Sequence, residues 1–462
     1  MKKFLWSITL LCGLAFTLPS CSDKDDDGGG VDNGDLPKTQ KEKMDKYLSS
    51  IEEKVKWMGS ISIFKDGKEI YQKSYGYSNV ETKTKADATT KYRIGSMTKT
   101  YTATIIMRLI EDGKLKLDDK LSIYYPQVNK SEKITIEHML RHQSGITDFG
   151  ESPLLEGMYN KDVSKQELLD LMVSMGSSFN PGEKSEYSNS NAILLTYIAE
   201  DISKKKYSEL LEDYIIKPCG LKNTYVGEKI DPAKNEAHSY RWYDSQWNKS
   251  DEVNMSIILG SGNITSSPTD VNTFYDNLLN GKIVKESSLK QMLSFNDDGY
   301  GLGLIDYHYP EVGFFGHYGT LDAFHSAGAI TSASESRVSV VILANGASYP
   351  VSDILIYALK VYLGLETPEP EFFEPTEISS EELDKYLGTY YGNDPSKITI
   401  TKVENTLIIG GVAGAAIPLD YYDNDEFRAD AIIAGGLLVK FYPNKGNLSV
   451  RFGGKTGTYT RQ

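Results

Sequence analysis

The sequence predicts an α+β domain whose sheet is assembled from both ends of the domain, followed by a small all-β domain. Three observations carry this reading. From Pro37 onward, apolar Met44, Leu48, Ile51 and Val55 recur three to four residues apart, as on one face of a helix, and "SISIFKDGKEIYQKSYGYS" then alternates about Asp66-Gly67, a hairpin turn pair. A long middle of helices and loops separates that hairpin from a second strand-rich stretch near residues 311–346, closed by the helical pattern "VSDILIYALKVYLG". Beyond it, "LETPEPEFFEPTEISSEEL" sets Pro368, Pro370 and Pro375 among acids, which neither a helix nor a central strand tolerates. The C-terminal remainder, including "KITITKVENTLIIGG" and "GLLVKFYPNKGNLSVRFGGKTGTYTRQ", alternates in short strands with turn residues between them.

Composition narrows the function classes. With 40% hydrophobic and 25% charged residues, the chain reads as ordinary globular protein, and 462 residues allow two or three domains. A net charge of −14 argues against nucleic acid, because phosphate binding requires a basic surface. The opening "MKKFLWSITLLCGLAFTLPSC" has two lysines, a short uncharged stretch and then Leu18-Pro19-Ser20-Cys21. That stretch is too short to span a bilayer and reads as an export signal over residues 1–20. Its end resembles a bacterial lipobox, which implies lipid on Cys21, a membrane anchor and a cell-envelope lipoprotein, with ordinary secretory cleavage as the alternative. An outer-membrane location open to the cell surface is the expectation, since acids directly after the cysteine resemble surface-export signals of some Gram-negative bacteria.

Residues 21–38 then read as a flexible acidic tether, 39–365 as the main domain, 366–380 as a linker and 381–462 as a β-barrel-like domain. Asp23, Asp25, Asp27 and Gly28 match the start of a calcium loop, but Gly34 stands where a bidentate Glu is needed. Of three cysteines, Cys12 lies in the signal and Cys21 is the acylation site, so Cys219 has no partner for a disulfide.

Chemistry could reside in three places. Ser96 and Lys99 stand one helical turn apart at the head of "SMTKTYTATIIMRLI", and an amine held beside a serine in an apolar helix can take its proton once its pKa is lowered. The same Ser-x-x-Lys spacing occurs at Ser62–Lys65, Ser203–Lys206 and Ser287–Lys290, so context decides: the first lies in a hairpin, and the others lie in charged, solvated runs. Ser96 alone opens a helix that is apolar on both sides, as a buried helix is. The second place is Tyr187-Ser188-Asn189, before the helical "NAILLTYIAE"; Tyr187 serves as a base if a nearby cation such as Lys99 depresses its phenol. The third is His317-Tyr318-Gly319 in an alternating strand, where a lone histidine is more often structural.

Together, Ser96-x-x-Lys99, Tyr187-x-Asn189 and His317-x-Gly319 resemble the S-x-x-K, Y-x-N and H-x-G set of the serine β-lactamase and penicillin-binding-protein superfamily, in its class C-like branch of esterases, D-aminopeptidases and carboxypeptidases. "ITIEHMLRHQSGI", "IIKPCGLKNTYVG", "GSGNITSSPTDVNTFYDNLL" and "YGLGL" extend the resemblance over roughly residues 40–365. It implies an antiparallel sheet flanked by helices, with a helical subdomain. It also implies a catalytic set of Ser96 as acyl-forming nucleophile, Lys99 and Tyr187 sharing the proton work, Asn189 positioning the substrate amide and His317, with Tyr318 and Gly319 binding substrate. The oxyanion would be held by the backbone N–H groups of Ser96 and Thr320. No cofactor or metal is implied; His138 and His142 have an i, i+4 spacing but no Glu between them.

The expected substrate is a small molecule or peptide: a peptidoglycan-like peptide, an amide, an ester or a β-lactam. A histidine that is largely neutral at pH 7 grips a carboxylate less firmly than the lysine of the K-T-G pattern, which favours D-amino-acid peptides, amides and esters over β-lactams. A true β-lactamase and a ligand-binding lipoprotein without catalysis are the alternatives. Lys455-Thr456-Gly457 spells K-T-G, but only five residues come after it, too few for the strands and closing helix that must succeed such a strand. It reads instead as the last strand of the β domain.

Overall fold

A computed structural model describes residues 35–461 apart from 153, 244, 310–312, 332–336, 368, 371, 373–374, 393–396, 413–414, 430–436 and 453–454. The export signal, Cys21 and the calcium-loop-like stretch therefore lie outside the described residues. Order begins earlier than the tether predicted to residue 38: Leu36 is buried and its N–H donates to the carbonyl of Ile70. The helix starts at once as α1, Lys38–Glu53, and it buries Met44, Leu48 and Ile51. Val55 does not belong to that stripe. It lies beyond the helix in a left-handed conformation, φ 56°, with its side chain partly exposed.

Strands β1 (Trp57–Lys65) and β2 (Lys68–Tyr75) form the predicted hairpin, with Asp66 and Gly67 both at positive φ, 48° and 78°. Two consecutive left-handed residues match the twist of the flanking strands, which explains the Asp-Gly pair. A short hairpin, β3 (Tyr240–Tyr243) and β4 (Gln246–Lys249), comes after the helical middle. Then come β5 (Ile305–Asp306), β6 (Phe314–Leu321), β7 (Phe324–Thr331) and β8 (Val338–Ala347). Their order in the sheet is β5-β6-β7-β8-β1-β2, antiparallel throughout, with β3 joined parallel to β8 at Tyr240–Gly346. The register Trp57–Ala347 to Lys65–Val338 places the N-terminal hairpin beside the last strand, so both ends of the domain build the sheet.

Residue alternation assigns the two faces. Ile61, Ile63, Val340, Ile342 and Ala344 pack with α1 and with α5 (Val351–Tyr362). Val341 and Leu343 face the larger core, which holds α2 (Thr98–Glu111), α3 (Asn189–Ser203) and α4 (Pro268–Leu279). Each such side chain removed from water contributes roughly 1.5–3 kcal/mol. No helix among the described residues is long and apolar enough to cross a membrane.

The C-terminal strands close into a barrel: β9 (Gly388–Tyr391), β10 (Lys397–Val403), β11 (Thr406–Val412), β12 (Ala415–Asp423), β13 (Glu426–Ala429), β14 (Leu437–Tyr442), β15 (Asn447–Phe452) and β16 (Lys455–Arg461). Ile398, Ile400, Leu407, Phe427, Val439 and Phe441 are among the buried residues that fill it. Lys455-Thr456-Gly457 begins β16, which pairs with β15 and, through Arg461–Tyr390, with β9. The K-T-G match is thus part of barrel closure. The preceding segment is anchored at both ends, by Glu369 to Lys46 and by the N–H of Thr376 to Tyr421.

Candidate active site

Ser96 lies not in α2 itself but in the tight 3-10 turn Gly95–Met97 that leads into it. Gly95 makes the turn possible. It adopts φ 50°, and a Cβ there would sit 3.0 Å from the backbone N of Thr320. Helix α2 is buried almost all round, and its threonines find partners inside: Thr100 and Thr102 donate to the carbonyls of Gly303 and Gly260. Lys99 therefore projects inward with its ammonium end in a dry setting, at 4% exposure.

Three oxygens surround the Lys99 amine: Ser96 Oγ at 2.9 Å, Asn189 Oδ1 at 2.8 Å and the carbonyl of Ser261 at 2.8 Å. Burial lowers its pKa to about 7, with the charge of Asp148 opposing the shift. A neutral amine has two N–H bonds and one lone pair. Asn189 Oδ1 and the Ser261 carbonyl can only accept, so they take the two hydrogens and the lone pair faces the Ser96 hydroxyl. The competing Ser-x-x-Lys pairs are not arranged in this way: Ser62 Oγ is bonded to Glu69 and Asn272, and Lys290 pairs with Glu286.

Tyr187 precedes α3, and the Lys99 amine lies 4.8 Å above its ring. The expectation of a depressed phenol is not met. Burial drives the Tyr187 pKa well above its ordinary value, and the hydrogen bond with Ser96 only opposes this. Since Lys99 is itself half neutral at pH 7, it supplies too little charge to hold a phenolate. Tyr187 is thus a protonated hydroxyl, and the group whose pKa is brought near neutrality is Lys99. Asn189 is held at both ends of its amide, Oδ1 by Lys99 and Nδ2 by Asp148 Oδ2 at 2.8 Å, which leaves one lone pair and one N–H free of these two bonds. It holds the lysine in place.

His142 has a place in the site that its sequence context does not signal, where it stands out only as a metal candidate with His138. The two do not share a helix: His138 caps the short turn 136–140, whereas His142 lies beyond it at φ 55°. His142 stacks beneath Tyr187 with ring centroids 4.5 Å apart, and its Nδ1 accepts from the N–H of Ser188 at 3.1 Å. Burial, then the neighbouring Lys99 amine, keep it well below the usual histidine range. Asp148 carries no signal in the sequence, and Ser261 lies in the quoted stretch "GSGNITSSPTDVNTFYDNLL" with nothing there to mark its carbonyl as a partner of Lys99.

His317 and Gly319 face Ser96 from β6. The His317 ring lies 6.4 Å from that of Tyr187, and its Nδ1 is 2.6 Å from the carbonyl of Tyr318. A carbonyl only accepts, so Nδ1 carries the proton and Nε2 presents a lone pair. Burial and Lys99 push the His317 pKa down to about 3, so the ring is neutral. A Cβ on Gly319 would lie 2.7 Å from the backbone N of Ser96, and Gly95 abuts Thr320. The strand and the Ser96 turn thus touch backbone to backbone, bringing the Ser96 and Thr320 amides into one neighbourhood. Tyr318 turns outward, half exposed, with its ring 6.3 Å from that of Tyr307.

The relatives of this chain have the same character. The model of the Beta-lactamase family matches residues 56–362. PbpX of Bacillus subtilis (strain 168), named as a penicillin-binding protein, is 26% identical over 303 residues, which span 65% of this chain and 73% of PbpX. Protein flp of Staphylococcus aureus (strain MW2) is 34% identical over 186 residues, 39% of this chain and 37% of flp. Among solved structures, the octameric penicillin-binding protein homologue of Pyrococcus abyssi superposes with a TM-score of 0.63 at 25% identity, covering 91% of this chain and 99% of that one. D-amino acid amidase of Ochrobactrum anthropi SV3 superposes with a TM-score of 0.61 at 23% identity, over 71% of this chain and 98% of its own. With a family match over more than half its length, and with a Ser-Lys-Tyr-His constellation gathered at one end of α2, this chain belongs to the β-lactamase family of hydrolases.

Proposed function

We propose that the chain is a serine hydrolase of the amidase or peptidase type, which cleaves amides bearing a free amine through an acyl-enzyme on Ser96. The observation that carries this reading is His317. With its Nδ1–H committed to the Tyr318 carbonyl, the ring is neutral and offers a lone pair at Nε2. Such a group accepts from an N–H and repels a carboxylate. Lys99 is not a full cation either. Carboxylates gather near the site: burial, then the charges of Asp148 and Glu186, raise the pKa of Glu151, while Glu186 itself pairs with Lys184 at 2.6 Å. This favours an ammonium over the carboxylate of a β-lactam or of a C-terminal D-residue. The D-amino acid amidase and the D-stereospecific amidohydrolase among the structural neighbours support the same substrate class.

In the proposed reaction Ser96 Oγ attacks the carbonyl carbon as its proton passes to the Lys99 lone pair, and the oxyanion rests on the N–H groups of Ser96 and Thr320. The C–N bond breaks as Tyr187 donates its hydroxyl proton to the leaving amine and is recharged from Lys99. Water then attacks the ester, Lys99 takes its proton, and Ser96 regains a hydrogen as the acid departs. An exported, lipid-anchored location is proposed alongside, on the sequence alone.

D-phenylalanine amide is expected to be hydrolysed, and its N-acetyl derivative and D-alanyl-D-alanine to react at least about tenfold more slowly, the size of one lost polar contact. Ammonia release from the two amides and D-alanine release from the dipeptide measure all three. Faster turnover of D-alanyl-D-alanine would turn the assignment to a carboxypeptidase.

The pH dependence follows from Lys99. Below its pKa the amine is an ammonium and cannot accept the Ser96 proton; above it the lone pair is free. On a p-nitrophenyl ester, which carries no amine of its own to titrate, kcat/KM is therefore expected to rise with pH along one limb centred near 7 and then level off. His317 adds no limb near neutrality, since it titrates at about 3. A rate that falls as pH rises through 7 would exclude Lys99 as the base.

A further inference from the structure

We propose that Asp322, held by Arg93 and Tyr159, is a positioning residue that sets the oxyanion-binding end of β6 against the nucleophile turn. The inference rests on the reading of Ser96 and Thr320 as the oxyanion donors. Among the described residues, β5 pairs with β6 at Phe315 and Gly316, so the half carrying Gly319 and Thr320 has β7 alone as its strand neighbour. That open side is where a substrate must lie, and something other than a strand has to fix the backbone there.

Asp322 is two residues past Thr320, in the β6–β7 turn at φ 56°, a conformation that aspartate tolerates better than most residues. Its carboxylate is fully buried and accepts three hydrogen bonds. Oδ2 accepts from Arg93 Nη1 at 2.8 Å; Oδ1 accepts from the Tyr159 hydroxyl at 2.7 Å and from the N–H of Val253 at 3.0 Å. Its backbone carbonyl accepts from Arg241 Nη2 at 2.7 Å. Four separate segments thus converge on one turn. Arg93 is itself buried, tied to Glu252 at 2.9 Å, and stands three residues before Ser96.

The ion pair therefore spans the two backbones whose amides must point at one oxygen: the segment entering the Ser96 turn and the segment leaving Thr320. Arg93 keeps Glu252 and the Glu228 carbonyl in Asp322→Asn, but the new amide NH2 must then face a donor, Arg93 on one side or Tyr159 and the Val253 N–H on the other, and that mismatch shifts the turn. Tyr159 belongs to the stretch that begins after Asp148, which itself holds Asn189.

The test compares Asp322→Asn, Tyr159→Phe and Ser96→Ala with wild type. Three readouts are taken: hydrolysis of p-nitrophenyl acetate, inhibition by phenylboronic acid, and thermal melting. Boronic acids form a tetrahedral adduct on an active serine, and so report the oxyanion geometry directly. Asp322→Asn is expected to lower kcat roughly 10- to 100-fold with KM within about twofold, and to weaken phenylboronic acid by a similar factor, as a displaced oxyanion donor does. Tyr159→Phe, which removes one hydroxyl and no charge, is expected to move both readouts in the same direction by about threefold or more. If Asp322→Asn shows no cooperative melt, Tyr159→Phe decides alone. Folded variants that keep wild-type kcat and phenylboronic acid affinity, with Ser96→Ala inactive, would overturn the positioning role and leave the Ser96 reading standing. So would a loss confined to KM. An active Ser96→Ala would overturn both.

Discussion

Ser96→Ala is expected to reduce turnover by about 10⁴-fold or more, the size of effect seen when one member of a catalytic unit is removed. The loss should come without loss of fold. Ser96 is only partly buried, and the substitution removes one hydroxyl whose partners are Lys99, which keeps Asn189 and the Ser261 carbonyl, and the Tyr187 hydroxyl. Lys99→Met is expected to be as damaging to the rate, because Ser96 is a weak nucleophile until the amine lone pair takes its proton. It should also cost more stability, since it leaves two buried carbonyl oxygens without a donor, at roughly 1–3 kcal/mol each. The direct measurement is intact mass after mixing with a p-nitrophenyl ester and quenching in acid. An acyl adduct is expected on wild type and on neither variant. An adduct of equal yield on Ser96→Ala would place the nucleophile elsewhere.

The sequence makes part of this site readable and hides the rest, and the division follows chain distance. Ser96 and Lys99 are three residues apart on a helix whose apolar flanks mark it as buried, so a local pattern separates them from three identical spacings. The other partners of Lys99 are 90 and 162 residues away, at Asn189 and Ser261. His142 meets Ser188 across 46 residues, and Arg93 meets Asp322 across 229. No periodicity or turn chemistry encodes such contacts.

Protonation states are legible only in part. A neutral His317 follows from its ordinary pKa, but the direction of the Tyr187 shift depends on burial, which outweighs the nearby amine. Fold elements divide similarly. The Asp66-Gly67 hairpin is local and fully specified, whereas barrel closure depends on the last strand finding the first, Arg461 beside Tyr390. At α1 the apolar spacing runs one step too far, to Val55, because a spacing rule does not record where a helix ends.

Gly319→Ala is the smallest change with a large expected effect. A Cβ at this position would lie 2.3 Å from the carbonyl of Ile94, 2.6 Å from Ser326 Oγ and 2.7 Å from the backbone N of Ser96. Two of the three are backbone atoms that cannot rotate away. One belongs to Ser96, the proposed nucleophile, and another to the residue just before Gly95. The alanine conformation is not the difficulty, since the backbone at Gly319 is not left-handed; the contact is. Relief requires β6 to separate from the Ser96 turn by something near 1 Å, and a misplacement of that size costs on the order of 10²-fold in rate. Overpacking should lower stability by about 1–3 kcal/mol, leaving a folded protein. Gly410→Ala, in barrel strand β11, is the matched control: its Cβ would meet nothing closer than the Thr399 carbonyl at 3.8 Å. That variant is expected to retain wild-type kcat. Steady-state kinetics and thermal melts on the pair decide the matter. If Gly319→Ala keeps kcat within about threefold, a displacement of roughly 1 Å has not reached the reacting groups, and the oxyanion cannot be bound between the amides of Ser96 and Thr320.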